Sequence, residues 1–472
     1  MLGLVNNPGA LNAQHNLSRA SQKLNSSIER LSSGLKVNRG ADGPAALVIS
    51  EKQRAQISGL KAAIDNTEKA VSVVQTAEGA LTEINSLLVK IRSLTIDSAN
   101  TGVNDDDALA ANQAEIANAL DTINRIANNT QFGQKKLLDG SAGMNGVASD
   151  TDVAFLKASS ETMAGTYAIE VTTVGERAHV SAGTAQTQAL AADEVLTING
   201  VSITLSAGLT RAQVQSRINE FSGQTGVVAE DNPSAANTTR LRSTQWGSAA
   251  TIQAISNTAS AANSSGIGTT QLTDAGVDIV GTIGGTSFTG VGNVLTATSG
   301  AAKGLKVSLA ENTSNLALTV TGAQGNVTVS NNSLVFQIGA NQNQTAKIAI
   351  DSVKATGLGI GIAGNQFSSL SAIDVTSASK SQDALAIVDA AISEITNLRG
   401  TLGAFQGNTL ESTANNMRAT LENTINAESV IRDTDFASEI SNFTNGQVLV
   451  QAGAAVLSNA NQSAQLILSL LR

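Results

Sequence analysis

Leu17, Leu24 and Leu31 recur every seven residues, with Ile28 and Leu35 interleaved, while Ser18, Arg19, Lys23 and Arg30 take the other faces. A stripe this narrow suits a coiled-coil seam, because it can cover one partner helix but cannot bury a helix on several sides. The far end of the chain has the same character. Phe436, Ile440, Phe443, Val450, Ala454, Leu457, Ala464, Leu468 and Leu471 hold a three-four rhythm into an apolar last turn, Leu466 to Arg472. Unpaired seams at both ends predict helix pairing between the ends or between molecules.

Gly34, Gly40, Gly43 and Pro44 break the first pattern, and Pro44 suits the first turn of a longer helix. That run carries Ile57, Leu60, Ile64, Val71 and Val74 and continues through Ile84, Leu87, Ile91 and Leu94. Asn104 to Asp107 place capping and negative groups where a third helix begins, ahead of Leu109, Ile116, Leu120 and Ile123. Toward the other end, Leu385, Val388, Ile392, Ile395, Leu402 and Phe405 form a further seam, with its N-cap expected in Ser381 to Asp383.

Between about 141 and 380 the chain is rich in Gly, Ser and Thr, and its strand signals are short: Ile169 and Val171; Leu305, Val307 and Leu309; Leu316, Leu318 and Val320; Ile348 and Ile350. Asn199-Gly200 stands between two alternating runs, as a two-residue type I′ hairpin requires. A short helix from Arg211 to Phe221, with Val214 and Ile218 inward, is expected to pack on that hairpin.

Composition narrows the chemistry. In 472 residues there is no Cys, so a disulfide framework, a thiolate zinc site and a cysteine nucleophile are excluded, and His15 and His179 are the only histidines. The formal net charge of -9, from 29 basic and 38 acidic residues, offers no basic stripe to a nucleic acid. No stretch approaches the roughly 18 consecutive apolar residues of a membrane span, so no membrane partner is expected. Residues 1–15 carry no basic residue and no continuous apolar run, so they do not read as a cleaved signal peptide.

Gly359, Gly361 and Gly364 match GxGxxG, with Asp383 about twenty residues on, but Asn365 to Ser369 read as loop and not as the helix that would cradle a pyrophosphate. A turn leading back to the helical part is the better reading. No GxSxG elbow, HExxH pair or Walker loop is present. Catalytic, cofactor-binding and metal-ligating sets are therefore not expected, and the chain reads as structural.

Several stretches resemble bacterial flagellins. They are Leu31-Ser-Ser-Gly-Leu-Lys-Val-Asn-Arg39, Gln75-Thr-Ala-Glu-Gly-Ala-Leu81, Ser98-Ala-Asn100, Thr130-Gln-Phe-Gly-Gln-Lys-Lys-Leu-Leu-Asp-Gly140 and Ala427-Glu-Ser-Val-Ile-Arg-Asp-Thr-Asp-Phe-Ala437. Phe336-Gln-Ile-Gly-Ala-Asn341 is similar to the family's return strand, and the Asn199 hairpin with its helix resembles an inserted motif of flagellins and hook-associated proteins. The resemblance implies an α+β fold: a long antiparallel α-helical coiled-coil core from both termini, with a central β-rich projecting region. It implies filament-core helices at 1–44 and 431–472, a helical layer at 45–165 and 335–430, and an outer variable region at 166–334.

It also implies a homopolymer, a helical filament for swimming, exported through the flagellar type III channel without a cleaved signal. An export chaperone, the filament cap and hook-filament junction proteins are the implied partners. The filament-core packing residues are then Leu17, Leu24, Ile28, Leu31, Leu35, Ile440, Phe443, Val450, Leu457, Leu468 and Leu471. Lys90, Leu94 and Glu115 match positions through which an animal Toll-like receptor senses flagellins, or they line a subunit contact. Lys90 stands where Arg is usual and keeps the charge without the planar fork of donors. Ala41-Asp-Gly-Pro-Ala45 also departs from the family's usual acidic loop and is expected to stiffen that joint. A junction protein, and an adhesin or enzyme carried on a flagellin scaffold, are the competing readings.

Overall fold

A computed structural model describes residues 8–100, 102–311, 320–362 and 365–470, with the side chains of residues 106 and 463–470 left aside. Its α-helices, in chain order, are α1 (Pro8–Ser33), α2 (Pro44–Ser98), α3 (Asp106–Asn129), α4 (Arg211–Glu220), α5 (Ser222–Thr225), α6 (Ala378–Ala404), α7 (Ser412–Arg432) and α8 (Phe436–Leu470). A π-helical turn, Phe405–Glu411, joins α6 to α7. The terminal regions are helical and the central region is β-rich, as the heptads at the ends and the alternation in the middle predict.

Pro44 opens α2, where its missing N–H costs nothing. Along α2 a buried stripe runs through Leu60, Ala63, Thr67, Ala70, Val74, Ala77, Leu81, Ile84, Leu88, Ile91, Thr95 and Ser98, alternately three and four apart. The stripe passes through Leu88 and leaves Leu87 only half-buried, because Leu88 is the leucine four residues beyond Ile84. The hydroxyls of Thr67 and Thr95 donate to the carbonyls of Ala63 and Ile91, so they are buried without loss of a partner.

The chain divides into two compact units, one made of residues up to 68, 337–345 and those from 411 onward, the other of 69–336 and 346–410. In the first, Leu60, Ala63 and Ile64 of α2 bury against Met417 of α7, with Ala340 and Leu421 alongside. Ser50 donates to Glu428 at 3.0 Å, and Arg418 pairs with Glu68 at 2.7 Å. α1 and α8 form the remaining part of this unit.

In the second unit, Asp105 caps α3 by accepting from Ala108 N at 2.9 Å, within the acidic run expected to do so. The cap of α6 is Ser377, one turn earlier than the expected Ser381 to Asp383. Ser377 is extended (φ -149°, ψ 160°), whereas Ser381 is fully buried inside the helix and back-bonds to the Ser377 carbonyl. The α6 stripe runs through Ser381, Ala384, Val388, Ala391, Ile395 and Leu402, so Leu385 and Ile392 lie on its half-buried flank.

Among the described residues, the β structure of this unit packs around two cores. A five-stranded antiparallel sheet, in the order 286–289, 280–283, 165–173, 322–331 and 144–148, shares one core with strands 294–296, 306–309 and 153–157. A four-stranded sheet (272–275, 251–256, 194–198, 201–205) and a three-stranded one (179–181, 239–243, 227–231) share the other. The Asn199-Gly200 turn has φ of 49° and 83°, the pair of positive values a type I′ hairpin demands. Its Asn199 side chain donates to Thr225 O and accepts from Gln253 N, both at 2.8 Å. Val214 and Ile218 of α4 are buried in the same core.

Ile169 and Val171 lie in strand 165–173, Val307 and Leu309 in 306–309, and Ile348 ends 345–348. The expected strand at Leu316 and Leu318 lies outside the described residues, and Val320 is exposed. Gly364 of the GxGxxG match also lies outside them. Gly359 has φ +66°, and a Cβ there would stand 2.7 Å from Ile387 Cγ2, so this glycine serves close packing on α6. A short 3₁₀ turn, Leu370–Ala372, follows in place of a phosphate-cradling helix.

Candidate assembly interface

α1 and α8 run antiparallel, and the glycines of α8 record their register. A Cβ placed on Gly446 would lie 3.6 Å from the Cα and Cβ of Leu24, and one on Gly453 would lie 3.6 Å from the same atoms of Leu17. Seven residues along one helix thus match seven back along the other, which sets Phe443 opposite Ser27, Val450 opposite Ala20 and Leu457 opposite Ala13. Ala13, Ala20 and Ser27 are buried in α1. Each pair sets a large side chain over a small one, so the helices approach closely over a seam only two positions wide.

Leu17, Leu24, Leu31, Leu35, Phe443, Val450 and Leu457 are half-buried along or beside this contact. Ile28 and Ile440 are not part of it. They are 46% and 54% exposed, because the heptad rhythm passes through Ser27 and Glu439 and leaves the next residue on the outer flank. The side chain of Leu468, and Leu471, lie outside the described residues. The small and acidic seam members carry no hydrophobic signal of their own; their seven-residue spacing opposite Leu17 and Leu24 is the trace they leave. Glu439 is 6% exposed, and its carboxylate stands 3.7 Å from the Arg30 guanidinium.

Among the described residues the outer faces of this helix pair stay open. Leu11, Ile28, Val448, Leu449 and Val456 are exposed, and a groove of about 730 Å³ runs between Ala13, Lys23, Leu449 and Val456. At the root of α1, the backbone N–H groups of Arg39 and Asn38 donate to Asp42 at 2.8 and 3.0 Å. These bonds hold its carboxyl below the usual carboxylate range. They also tie up the departure Ala41 to Ala45 as a compact turn.

Lys90 on α2 and Glu115 on α3 form an ion pair at 2.5 Å, both substantially exposed, and Leu94 one turn along is half-buried. Asp97 accepts from Asn112 at 2.8 Å. Arg92 turns to Asp389 of α6 at 2.6 Å, and that hydrogen bond, with the charge behind it, raises its pKa. Among the described residues, no group of three or more His, Cys, Asp and Glu could hold a metal ion, and no helix is long and apolar enough to cross a membrane.

Residues 5–143 match the profile of the bacterial flagellin N-terminal helical region, and residues 385–471 that of the C-terminal helical region. A B-type flagellin of Pseudomonas aeruginosa is 34% identical over 493 aligned residues, covering 99% of this chain and 99% of its own. A flagellin of Clostridium tyrobutyricum is 30% identical over 97% of this chain and 98% of its own. Among solved structures, a flagellar hook-associated protein-3 of Legionella pneumophila aligns with 80% of this chain and 97% of its own, at 12% identity and a TM-score of 0.30. On the two terminal profiles and on identity extending over the full length of its relatives, the chain belongs to the bacterial flagellin family, the structural subunits of the extracellular flagellar filament.

Proposed function

We propose that this flagellin polymerises through its two terminal helices, with 1–44 and 431–472 in the filament core, 45–165 and 335–430 in a surrounding helical layer, and 166–334 projecting outward. The observation that carries the reading is the α1–α8 pair: it is apolar along its seam and apolar again on outer faces that none of the described residues covers. Ile28 and Ile440, off the intrachain seam, join Leu17, Leu24, Leu31, Leu35, Phe443, Val450, Leu457, Leu468 and Leu471 as core residues by contacting neighbouring subunits.

A lone pair of narrow-seamed helices buries too little to stand alone, so α1 and α8 fold on assembly and their folding energy becomes polymerisation energy. Each subunit meets its neighbours through different surfaces, and such contacts generate an open helix without closure. Export proceeds unfolded, without signal cleavage. The lack of Cys and the low Pro count of 3 suit that passage, since neither crosslinks nor many slow prolyl bonds stand in its way. The export chaperone, filament cap and junction proteins are the partners along this route.

Lys90, Leu94 and Glu115 form the ridge assigned to a subunit contact, and to an animal Toll-like receptor where one is met. Electron microscopy of the full chain and of residues 45–430, each seeded or salted out, tests the proposal. Filaments from the full chain alone support it; filaments from both, or from neither, overturn it. N-terminal sequencing of filament protein tests export without cleavage, and Glu115→Lys tests the ridge by its effect on assembly and on receptor activation.

A further inference from the structure

The seam between α1 and α8 does not by itself decide how far one helix is shifted along the other. If α8 slid seven residues, about 10 Å, toward the start of α1, Gly446 would meet Leu17. Val450 would then meet Ala13, and Phe443 would meet Ala20. Each is again a large side chain over a small one. Even the charge contact has a counterpart, since Lys23 stands seven residues before Arg30 and would offer Glu439 a cation.

The root of the pair does not repeat. There Lys36 N donates to Arg432 O at 2.6 Å and Thr434 N to Gly34 O at 3.0 Å, on either side of an antiparallel bridge between Leu35 and Asp433. Gly34, at φ +73°, lets the chain leave α1 directly into this bridge. Arg432 anchors the other side: its largely buried guanidinium donates to Glu51 at 3.2 Å and stands 3.9 Å from Glu428. Only Asp433, Thr434 and Asp435 connect α7 to α8. Three residues reach about 10 Å only when fully extended, so the slip would break both backbone bonds.

We propose that this clamp, residues 34–36 against 432–434, sets the register of the terminal helices, and that Arg432 is its positioning residue. A periodic seam supplies adhesion, and a single aperiodic contact supplies alignment. The contacts concerned lie within one chain, so the inference rests on the proposed assembly only for the filaments in which it is tested, and a chain that forms none counts against that reading and not against the clamp.

The lack of Cys makes it testable by engineered disulfides. A Cβ at Gly453 lies 3.6 Å from the Leu17 Cβ, inside the disulfide range of about 3.5–4.5 Å. Leu17→Cys with Gly453→Cys therefore reports the register described, and Leu17→Cys with Gly446→Cys reports the slipped one. Each pair is oxidised in pelleted filaments of the full chain, and the intrachain product is read as a monomer of altered mobility on a non-reducing gel.

In the otherwise unaltered chain only the first pair closes. Inserting Gly-Ser-Gly-Ser between Asp433 and Thr434 supplies the missing reach, and closure of the slipped pair rises about tenfold or more. Arg432→Ala, with the loop length kept, raises it less, and Arg432→Lys returns it to the parent level. The proposal is overturned if insertion and Arg432→Ala both leave the first pair alone closing, or if the unaltered chain closes both pairs equally.

Discussion

Replacing Gly446 by alanine and by leucine should shift filament assembly in opposite directions. A Cβ at this position would stand 3.6 Å from the Cα, Cβ and Cδ1 of Leu24, which is ordinary van der Waals contact, so alanine enters without displacing α1. Gly446 lies in the interior of α8, where exchange for alanine favours the helix by about 0.8–1 kcal/mol. If α8 folds on assembly, that gain lowers the critical concentration roughly four- to fivefold. Leucine brings nearly the same helical gain, but its outer carbons must occupy space that Leu24 already fills. Overpacking of this kind costs about 1–3 kcal/mol, which leaves a net loss of up to about 2 kcal/mol and a critical concentration raised as much as 30-fold. The assay is seeded polymerisation, sedimentation and measurement of the protein left in solution. A leucine variant that polymerises as readily as the alanine variant, or an alanine variant that needs more protein than the parent, would refute the large-over-small seam.

Leu81→Ala removes a fully buried side chain from the α2 stripe and should destabilise the monomer by about 2–5 kcal/mol; an unchanged calorimetric midpoint would contradict that packing. Gly200→Val forces a β-branched residue to the φ of 83° that the hairpin turn requires, at a cost of about 1–2 kcal/mol, measured as a lower guanidinium midpoint. Asp351 has its carboxyl held above the usual range by burial, with Lys157 pulling it down and Glu394 adding to the rise. Its folded state thus binds the proton more tightly than its unfolded state, and the associated stability, full below the unfolded pKa, is lost as pH rises through the folded one. Asp351→Asn should accordingly raise the thermal midpoint near pH 7, and the gain should vanish toward about pH 4; a gain equal at both would assign it to something other than titration.

The elements that strong local signals define were legible in the chain. The heptad of Leu17, Leu24 and Leu31 marked α1, Pro44 marked the start of α2, the acidic run at 104–107 held the cap of α3, and Asn199-Gly200 marked its hairpin. Finer placement failed where two residues offered the same signal. Leu87 and Leu88 are equally apolar, and only packing selects Leu88; Ser377 and Ser381 are equally good caps, and only the extended backbone at Ser377 selects it. Ile28 and Ile440 carry the apolar signal, but within one chain the buried positions on their line are Ser27 and Glu439.

That difference has a physical cause with wider reach. A seam built of large residues over small ones shows only half of each pair to any reading that weighs hydrophobicity, because glycine, alanine and serine next to a backbone look like spacers. Leu17 and Leu24 announce a contact, but Gly453 and Gly446 announce it only when the two ends are laid antiparallel and both are seen to step by seven. The same economy of side chains leaves the outer flanks of α1 and α8 apolar, since a seam two positions wide cannot cover Leu11, Ile28, Val448, Leu449 and Val456 as well. A filament subunit needs both properties together: a contact with itself that is close and narrow, and faces beside it that remain unsatisfied until another copy arrives.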